Sequence, residues 1–315
     1  MTPFSYQIFK FAQQSNLIEN SDKIVLSISG GLDSVGLLHV LLEFREKIDL
    51  ELYLAHFNHG IREESEEDQH YIQSLASSHD LPLKIFHTSR LKKQKDLQNS
   101  ARNWRNEQLV QLMNKLTYSK IALAHHLNDL IETQLWRMMR GGSLYSLSPM
   151  LVKSIPYVRP LLRTKKVDIK NYLTSIKQEW REDLSNKESK YTRNKIRNKI
   201  VPIMQTCSGG KLEEKFLNLY EDSLELQQEF NNQIPLECYQ KNELSYNRIR
   251  STNTLFKREL IHQFLLFNDV IEINRNNLNK ILELVTQNRG NWQMSFKNDR
   301  LLKGKNKVIY FSGSH

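Results

Sequence analysis

The chain has 315 residues, 39% hydrophobic and 25% charged, which is the composition of a globular protein with room for one large domain or two smaller ones. No apolar run approaches the ~20 residues that span a bilayer, and residues 1–14 lack a signal-peptide pattern, so we expect a cytoplasmic protein. Its two cysteines, Cys207 and Cys238, are too far apart to form a C-x-x-C zinc or dithiol motif.

The net charge of +10 is concentrated in the middle of the chain. Residues 1–90 carry 7 basic and 13 acidic side chains, residues 91–200 carry 23 and 9, and residues 201–315 carry 15 and 13. Such segregation predicts that the middle third binds a phosphate-rich partner, and the alternative is a set of scattered, solvated lysines.

The first two hundred residues predict alternating strands and helices. The apolar, β-branched run from Lys23 to Ser29 has the composition of a buried parallel strand, and leucines at helical spacing follow from Ser34 to Glu46. Strand and helix patterns then alternate over Leu50 to Phe57, Glu66 to His79, Leu83 to Thr88, Gln98 to Leu116, Lys120 to His125 and Asp129 to Arg140. This order predicts an α/β fold with a doubly wound parallel sheet, in which ligands bind beyond the carboxyl ends of the strands.

A second, smaller α+β domain, mostly helical, is predicted after a glycine-containing hinge at Cys207 to Gly210. Its helical patterns cover Leu212 to Asn231, Thr254 to Phe267 and Asn276 to Gln287. Short strands are predicted from Trp292 to Phe311, with turns at Asn298-Asp299 and Gly304-Lys305-Asn306. We therefore expect one domain at residues 1–207 and a smaller one at residues 211–315.

The string Ser29-Gly30-Gly31-Leu32-Asp33-Ser34 lies between the first predicted strand and helix. Paired glycines allow a tight turn that presents backbone N–H groups, and the start of a helix adds the positive end of its dipole. The Ser29 and Ser34 hydroxyls are candidate donors to phosphate oxygens. Asp33 predicts a bridging Mg²⁺, because a bare phosphate would repel it. The loop is neither a Walker A motif nor a G-x-G-x-x-G dinucleotide fingerprint.

Three further motifs follow later strands and helices. They are His56 to Arg62 (HFNHGIR), Ala124 to Thr133 (AHHLNDLIET), and Trp180 to Asn186 (WREDLSN) with Arg193 to Arg197 (RNKIR). His125, Asp129 and Glu132 share one helical face, although Asp129 alone could be a helix cap. The two histidines of the first motif could instead be a hydrogen-bonded pair near the core. Arg193 and Arg197 are one helical turn apart, which suits phosphate recognition, and a solvated face is the alternative.

The Ser29 to Ser34 string resembles the SGGxDS loop of the N-type ATP pyrophosphatases, the PP-loop superfamily, which cleave ATP between the α- and β-phosphates. With the three further motifs, residues 20–203 resemble the tRNA(Ile)-lysidine synthetase family. This resemblance implies a ligase that adenylates the wobble cytidine of isoleucine tRNA with a CAU anticodon. It then couples free L-lysine to C2 of that base and releases AMP and pyrophosphate.

The resemblance also assigns expected roles to individual residues. ATP-binding residues are implied at Ser29, Gly30, Gly31, Leu32, Asp33, Ser34 and His56, with Mg²⁺ held by Asp33. Lysine-binding residues are implied at His125, Asp129 and Glu132. Catalytic roles are implied for Asp33, Asp129, Glu132, Arg102 and Arg193. Contacts to tRNA or other phosphates are implied for Arg105, Arg193 and Arg197.

Two other functions remain open from the sequence. A tRNA thiolation enzyme of the same superfamily would normally need catalytic cysteines that this chain lacks. A non-catalytic RNA-binding protein on a degenerate nucleotide fold would leave Asp33, Asp129 and Glu132 beside RNA phosphates without chemistry to perform. No membrane partner is expected, and the oligomeric state stays open, with a homodimer as one option.

Overall fold

The computed structural model describes residues 1–58, 65–87, 97–139, 147–148, 150–181, 192–233, 243–250, 253–268, 270, 273–287, 290–296, 301–305 and 308–312. The chain forms two compact units, the first made of residues 1–133 and 150–217 and the second of residues 134–149 and 218–315. Within the described residues, no helix combines the length and the apolar character that crossing a membrane requires.

A six-stranded sheet lies at the centre of the first unit. Its strands are β1 (Asp22–Ile28), β2 (Leu50–Asn58), β3 (Leu83–His87), β4 (Lys120–Ala122), β5 (Lys153–Ser154) and β6 (Tyr157–Val158). Their order is β3-β2-β1-β4-β6-β5, and every described pair is parallel except β5 with β6. The predicted parallel sheet is confirmed. Strand β4 ends at Ala122, short of the predicted His125.

Helices surround this sheet on both faces. They are α1 (Pro3–Gln14), α2 (Leu32–Phe44), α3 (Ser65–Ser78), α4 (Leu97–Leu116), α5 (Leu127–Met139) and α6 (Lys166–Ser175). Further along, α7 (Thr192–Lys195), a π-helical turn (Ile196–Ile200) and α8 (Val201–Cys207) follow one another without a break. The sequence did not predict α1 or α6. In α1 the buried positions are Ser5, Ile8 and Ala12, too weak an apolar stripe to stand out.

Strand β1 is buried on both faces, which accounts for its unbroken apolar sequence. Ile24 and Leu26 belong to a core that also contains Leu37 and Leu41 of α2. Val25 points to the opposite face and joins a second core with Leu109 of α4. The sheet therefore has one helical layer on each face, as the alternating pattern predicted.

The second unit contains a four-stranded antiparallel sheet covered by helices. Its strands are β7 (Glu243–Ser245), β8 (Trp292–Ser295), β9 (Leu301–Lys305) and β10 (Val308–Ser312), in the order β7-β10-β9-β8. The helices Leu212–Gln233, of which residues 218–233 belong to this unit, Thr254–Phe267 and Arg275–Thr286 occur close to their predicted bounds. The predicted turn at Gly304-Lys305-Asn306 starts too early, since Gly304 and Lys305 still belong to β9 and pair with β10. Asn298, Asp299 and Asn306 lie outside the described residues.

A glycine fixes how closely helix α6 approaches helix α2. Gly36 is buried in α2, and a Cβ atom there would overlap Cγ2 of Ile169. The Tyr172 hydroxyl donates a 2.6 Å hydrogen bond to Glu43, so a second contact joins the same two helices. The first residue of α6 is therefore held at a defined distance from the loop that precedes α2.

We expect Gly36→Ala to lower the free energy of unfolding by about 1–3 kcal/mol, because the added methyl overpacks this contact. Urea unfolding of the full chain measures the change. Ile169→Ala removes the overlapping methyl and serves as the matched partner. The double variant should therefore lose less stability than the two single losses added together. Strict additivity would contradict the proposed overlap.

Candidate active site

The Ser29 to Ser34 loop connects β1 to α2 and is closed by its own hydrogen bonds. The Gly31 N–H donates to Ser29 Oγ at 3.4 Å, and Ser34 Oγ donates to the Gly31 carbonyl at 3.0 Å. The two hydroxyl oxygens are 3.1 Å apart. Because the Ser34 proton goes to Gly31, Ser29 donates the proton between them, and both hydroxyl protons are used inside the loop. The donors best placed for a phosphate are therefore the backbone N–H groups where α2 begins.

The backbone of this loop is braced from outside. Gly30 has a φ of +82°, a conformation that favours glycine, and its carbonyl accepts a 2.9 Å hydrogen bond from the Arg181 N–H. The Arg181 side chain is held by Glu67 at 2.6 Å and Asp68 at 3.0 Å. Arg181, the second residue of the third motif, therefore stabilises the conformation of the loop. Residues 182–186 of that motif lie outside the described residues.

The carboxylate of Asp33 lies between two cationic or proton-donating groups. Its Oδ2 is 3.4 Å from Nε2 of His126 and 3.4 Å from Nζ of Lys166. Its Oδ1 is buried and accepts no hydrogen bond from any residue in the described part of the chain. Within the described residues, the site therefore contains one carboxylate oxygen without a hydrogen-bond partner.

Asp129 lies in the first turn of α5 and is linked to Asp33 through His126. Its Oδ2 is 3.4 Å from His126 Nε2 and accepts a 3.2 Å hydrogen bond from the His126 backbone N–H. Burial raises the pKa of Asp129, but the nearby His126, His125 and Arg193 outweigh burial and hold that pKa below its usual value. Asp129 is therefore ionised at neutral pH.

Glu132 anchors the two arginines of the segment that follows residue 191. Arg197 donates from Nε to Oε1 of Glu132 at 2.6 Å and from Nη2 to Oε2 at 2.9 Å. Arg193 Nε also donates to Oε2 of Glu132, at 3.2 Å. The residue is only 3% exposed. Arg193 also reaches Oδ1 of Asp129 at 3.4 Å. The lysine-binding role predicted for Glu132 stays a prediction, since guanidinium groups engage both of its oxygens.

A cavity of about 340 Å³ opens beside these groups at the carboxyl ends of β1 and β4. It is lined by predicted residues from the loop, α4 and the segment before α5: Ser29, Asp33, Ser34, Arg102, Arg105 and His125. Tyr157 and Arg159, from β6 and just after it, complete the wall and were not predicted. Three guanidinium groups and one phenol ring therefore face a space at the phosphate loop, which is a composition suited to a nucleotide.

Two histidines near the loop have different environments. Burial lowers the pKa of His125 to about 4, and the opposing effect of Asp129 is partly cancelled by Arg159, so this ring is neutral at pH 7. Its Nδ1 is buried and lacks a hydrogen-bond partner among the described residues. His56, in contrast, is buried in the sheet. Its Nδ1 on β2 donates a 3.0 Å hydrogen bond to the Ile28 carbonyl on β1. Its predicted ATP contact stays a prediction.

The structure brings most predicted residues to one edge of the sheet and adds several more. His126 lies within the Ala124 to Thr133 motif but was given no role, and Tyr157, Arg159 and Lys166 lie outside every motif that the sequence offered. Residues 59–62 of the first motif lie outside the described residues.

The donors at Asp33 fit a magnesium ion shared with a phosphate chain. Mg²⁺ usually takes one or two carboxylates and completes its shell with water and substrate phosphates. Asp33 offers an unpartnered Oδ1 beside the loop, whereas no group of three or more acidic, histidine or cysteine side chains among the described residues is arranged to hold a metal ion. The carboxylate therefore suits a metal that arrives with a nucleotide.

Comparison with known proteins gives a consistent result. The model of the PP-loop domain family matches residues 1–204. The tRNA(Ile)-lysidine synthase of Petrotoga mobilis is 30% identical over 272 residues, which cover 84% of this chain and 86% of that relative. The tRNA(Ile)-lysidine synthase of Thermosipho africanus is 32% identical over 232 residues, covering 72% of this chain and 54% of the relative. The chain thus spans most of the length of the first relative and about half of the second.

Among solved structures, the U34-tRNA thiolase of Methanococcus maripaludis is similar in fold, with a TM-score of 0.59 and 15% sequence identity. The match covers 70% of this chain and 79% of the thiolase. At this level of identity, the likeness shows a shared fold.

We expect Glu132→Gln to lower the free energy of unfolding by about 2 kcal/mol, because two guanidinium groups lose their buried countercharge. Urea unfolding gives the loss, and hydrogen exchange should show faster opening of the backbone from Arg193 to Ile200. The matched control is Glu107→Gln, an exposed glutamate on α4, which should change neither. Equal behaviour of the two variants would show that Glu132 does not anchor this segment.

Proposed function

Because the chain belongs to the PP-loop domain family and, within it, to the tRNA(Ile)-lysidine synthase family, we propose that it converts the wobble cytidine of isoleucine tRNA to lysidine. The substrates are ATP, L-lysine and the tRNA with a CAU anticodon. The observation that carries the proposal is that the SGGLDS loop and Asp129 lie together at adjoining strand ends. Oδ2 of Asp33, in the loop, and Oδ2 of Asp129 are each 3.4 Å from Nε2 of His126.

In the first step, the C2 oxygen of the cytidine attacks the α-phosphorus of ATP. The bond between the α-phosphorus and the bridging oxygen breaks, and pyrophosphate leaves with that electron pair. Backbone N–H groups of the loop would bind the leaving pyrophosphate, since they lie at a helix N-terminus. Arg102 and Arg105 line the adjoining cavity and would offset the charge on the phosphates.

In the second step, the ε-amine of lysine attacks C2 and the bond from C2 to the adenylate oxygen breaks, releasing AMP. The amine must lose its extra proton before it can attack. Asp129 is ionised and close to the loop, so we assign to it the binding of the ammonium and the acceptance of that proton. His125 is neutral and lines the same cavity, which suits a hydrogen bond to either substrate.

Glu132 and the arginines have a different part in this proposal. Arg193 and Arg197 are held together by Glu132, so we assign to Glu132 the positioning of both guanidinium groups toward phosphate. Arg193 is 44% exposed and remains accessible for the tRNA backbone or ATP. Mg²⁺ bound with ATP at Asp33 would neutralise charge on the departing pyrophosphate.

The remaining parts of the proposal concern tRNA and location. The basic middle third would contact the tRNA backbone, and the second unit would assist in binding tRNA. We place the reaction in the cytoplasm, where tRNA is modified, with no membrane partner, and the homodimer stays a prediction.

One assay separates this function from its rivals. Pyrophosphate release that depends on isoleucine tRNA, followed by incorporation of labelled lysine, is the expected result. Release that requires a sulfur donor would indicate a thiolation enzyme. Binding of tRNA without any pyrophosphate release would indicate a non-catalytic RNA-binding protein.

We expect Asp33→Ala to lower the rate of pyrophosphate release by about 100-fold or more, because the loop loses its carboxylate for Mg²⁺. The melting temperature should stay within a few degrees of the unaltered chain. Asp222→Ala, at an exposed position of the helix Leu212–Gln233, is the matched control and should keep full activity. Normal release by the Asp33 variant would remove the metal assignment.

We expect Asp129→Asn to impair lysine incorporation more than pyrophosphate release, because an amide neither neutralises an ammonium nor accepts its proton. Single-turnover measurement of both products in one reaction tests the split, and the lysine KM should rise about tenfold or more. Glu132→Gln is the comparison variant and should slow both steps together. An equal loss of both steps in the Asp129 variant would indicate that this residue acts on the phosphates of ATP rather than on lysine.

A further inference from the structure

Lys166 extends its ammonium to the phosphate loop, although no motif of the sequence singles it out. Its Nζ is 3.4 Å from Oδ2 of Asp33, the residue that lines the cavity and that we assign to Mg²⁺. The Lys166 side chain is 44% exposed, so this ion pair is only partly shielded from solvent.

The backbone of Lys166 is fixed from two directions. Its N–H donates a 3.0 Å hydrogen bond to Oδ1 of Asn128, just inside helix α5. Ile169, three residues further along α6, packs directly on Gly36 of α2. Helix α2, which follows the phosphate loop, and helix α5, which carries Asp129, therefore both fix the position of the Lys166 backbone. A flexible side chain on a fixed backbone suits a group that must reach a ligand repeatedly.

The charges around Asp33 indicate what this lysine does when a nucleotide binds. In the free protein, Asp33 Oδ2 is shared by the Lys166 ammonium and by His126 Nε2, each at 3.4 Å. Both distances exceed those of short charge-assisted hydrogen bonds, so Asp33 holds the ammonium in a contact that another anion can replace. A metal on Asp33 would satisfy the carboxylate and repel the ammonium, and the nearest anion for it would then be the phosphate chain.

We propose that Lys166 is a further pyrophosphate-binding residue, kept beside the loop by Asp33 in the free protein and transferred to the β- and γ-phosphate oxygens when ATP binds. This inference rests on the proposed use of ATP at the loop. As the bond between the α- and β-phosphates breaks, negative charge grows on the departing pyrophosphate, and an ammonium at that position stabilises it.

The test uses inorganic pyrophosphate with Mg²⁺ and the full chain, in the absence of tRNA and lysine. Calorimetric titration should show that Lys166→Met weakens pyrophosphate binding about tenfold or more, because one charge-assisted contact is lost. Lys166→Arg should recover most of the affinity. Lys170→Met, an exposed lysine one turn further along the same helix, is the matched control and should bind like the unaltered chain.

The outcomes separate this inference from the function on which it rests. Equal pyrophosphate affinity in Lys166→Met and Lys170→Met, with normal binding by the unaltered chain, would overturn the role of Lys166 and leave the phosphate loop in place. Failure of the unaltered chain to bind pyrophosphate would overturn the proposed use of ATP as well.

A double-variant cycle tests the contact between Lys166 and Asp33. In metal-free buffer, Asp33→Asn should tighten pyrophosphate binding, because it removes a repelling charge and frees the ammonium of Lys166. The gain should be smaller when Lys166 is already methionine. An identical gain in both backgrounds would show that Asp33 does not hold the lysine and would overturn the proposed transfer.

The lysine KM should stay unchanged in Lys166→Met, which separates a phosphate contact from general distortion of the site.

Discussion

The central position of β1 is the constraint on which the site depends. This strand pairs in parallel with β2 on one side and β4 on the other, so the segments leaving β1 and β4 emerge at the same edge of the sheet. In doubly wound sheets, ligands bind where neighbouring connections diverge in this way. The phosphate loop leaves β1 and the segment with His125 leaves β4. Residues almost a hundred positions apart in the sequence thereby become neighbours.

Many charged side chains meet at this edge of the sheet, and the contacts between opposite charges determine how the site is arranged. Asp33 and Asp129 are joined through His126, while Glu132 holds Arg193 and Arg197. Buried ion pairs contribute little net stability, because desolvation offsets most of their attraction. Their value here is orientation, since each pair fixes its side chains relative to one another before any substrate arrives. A substrate that brings its own charges can then displace one contact at a time.

The sequence predicted the parts of this picture that depend on local pattern. Apolar runs predicted the parallel strands, and the glycine and serine pattern predicted a phosphate loop between β1 and α2. Spacing predicted that Asp129 and Glu132 share a helical face and that Arg193 and Arg197 are one turn apart. Helices α1 and α6 were missed, because few of the buried residues of α1 are large and apolar and because α6 spans only ten residues.

Contacts between distant segments could not be predicted in this way. The pairing of Glu132 with two arginines and the approach of Lys166 to Asp33 depend on packing between helices, because side chains far apart in sequence meet only after the layers assemble. Gly36 illustrates the reason, since its missing side chain allows α6 to approach α2 and has no periodic signature. The sequence by itself determined the fold class, the loop and the family resemblance. The tertiary structure alone decided which charges face one another, because that depends on distances in space.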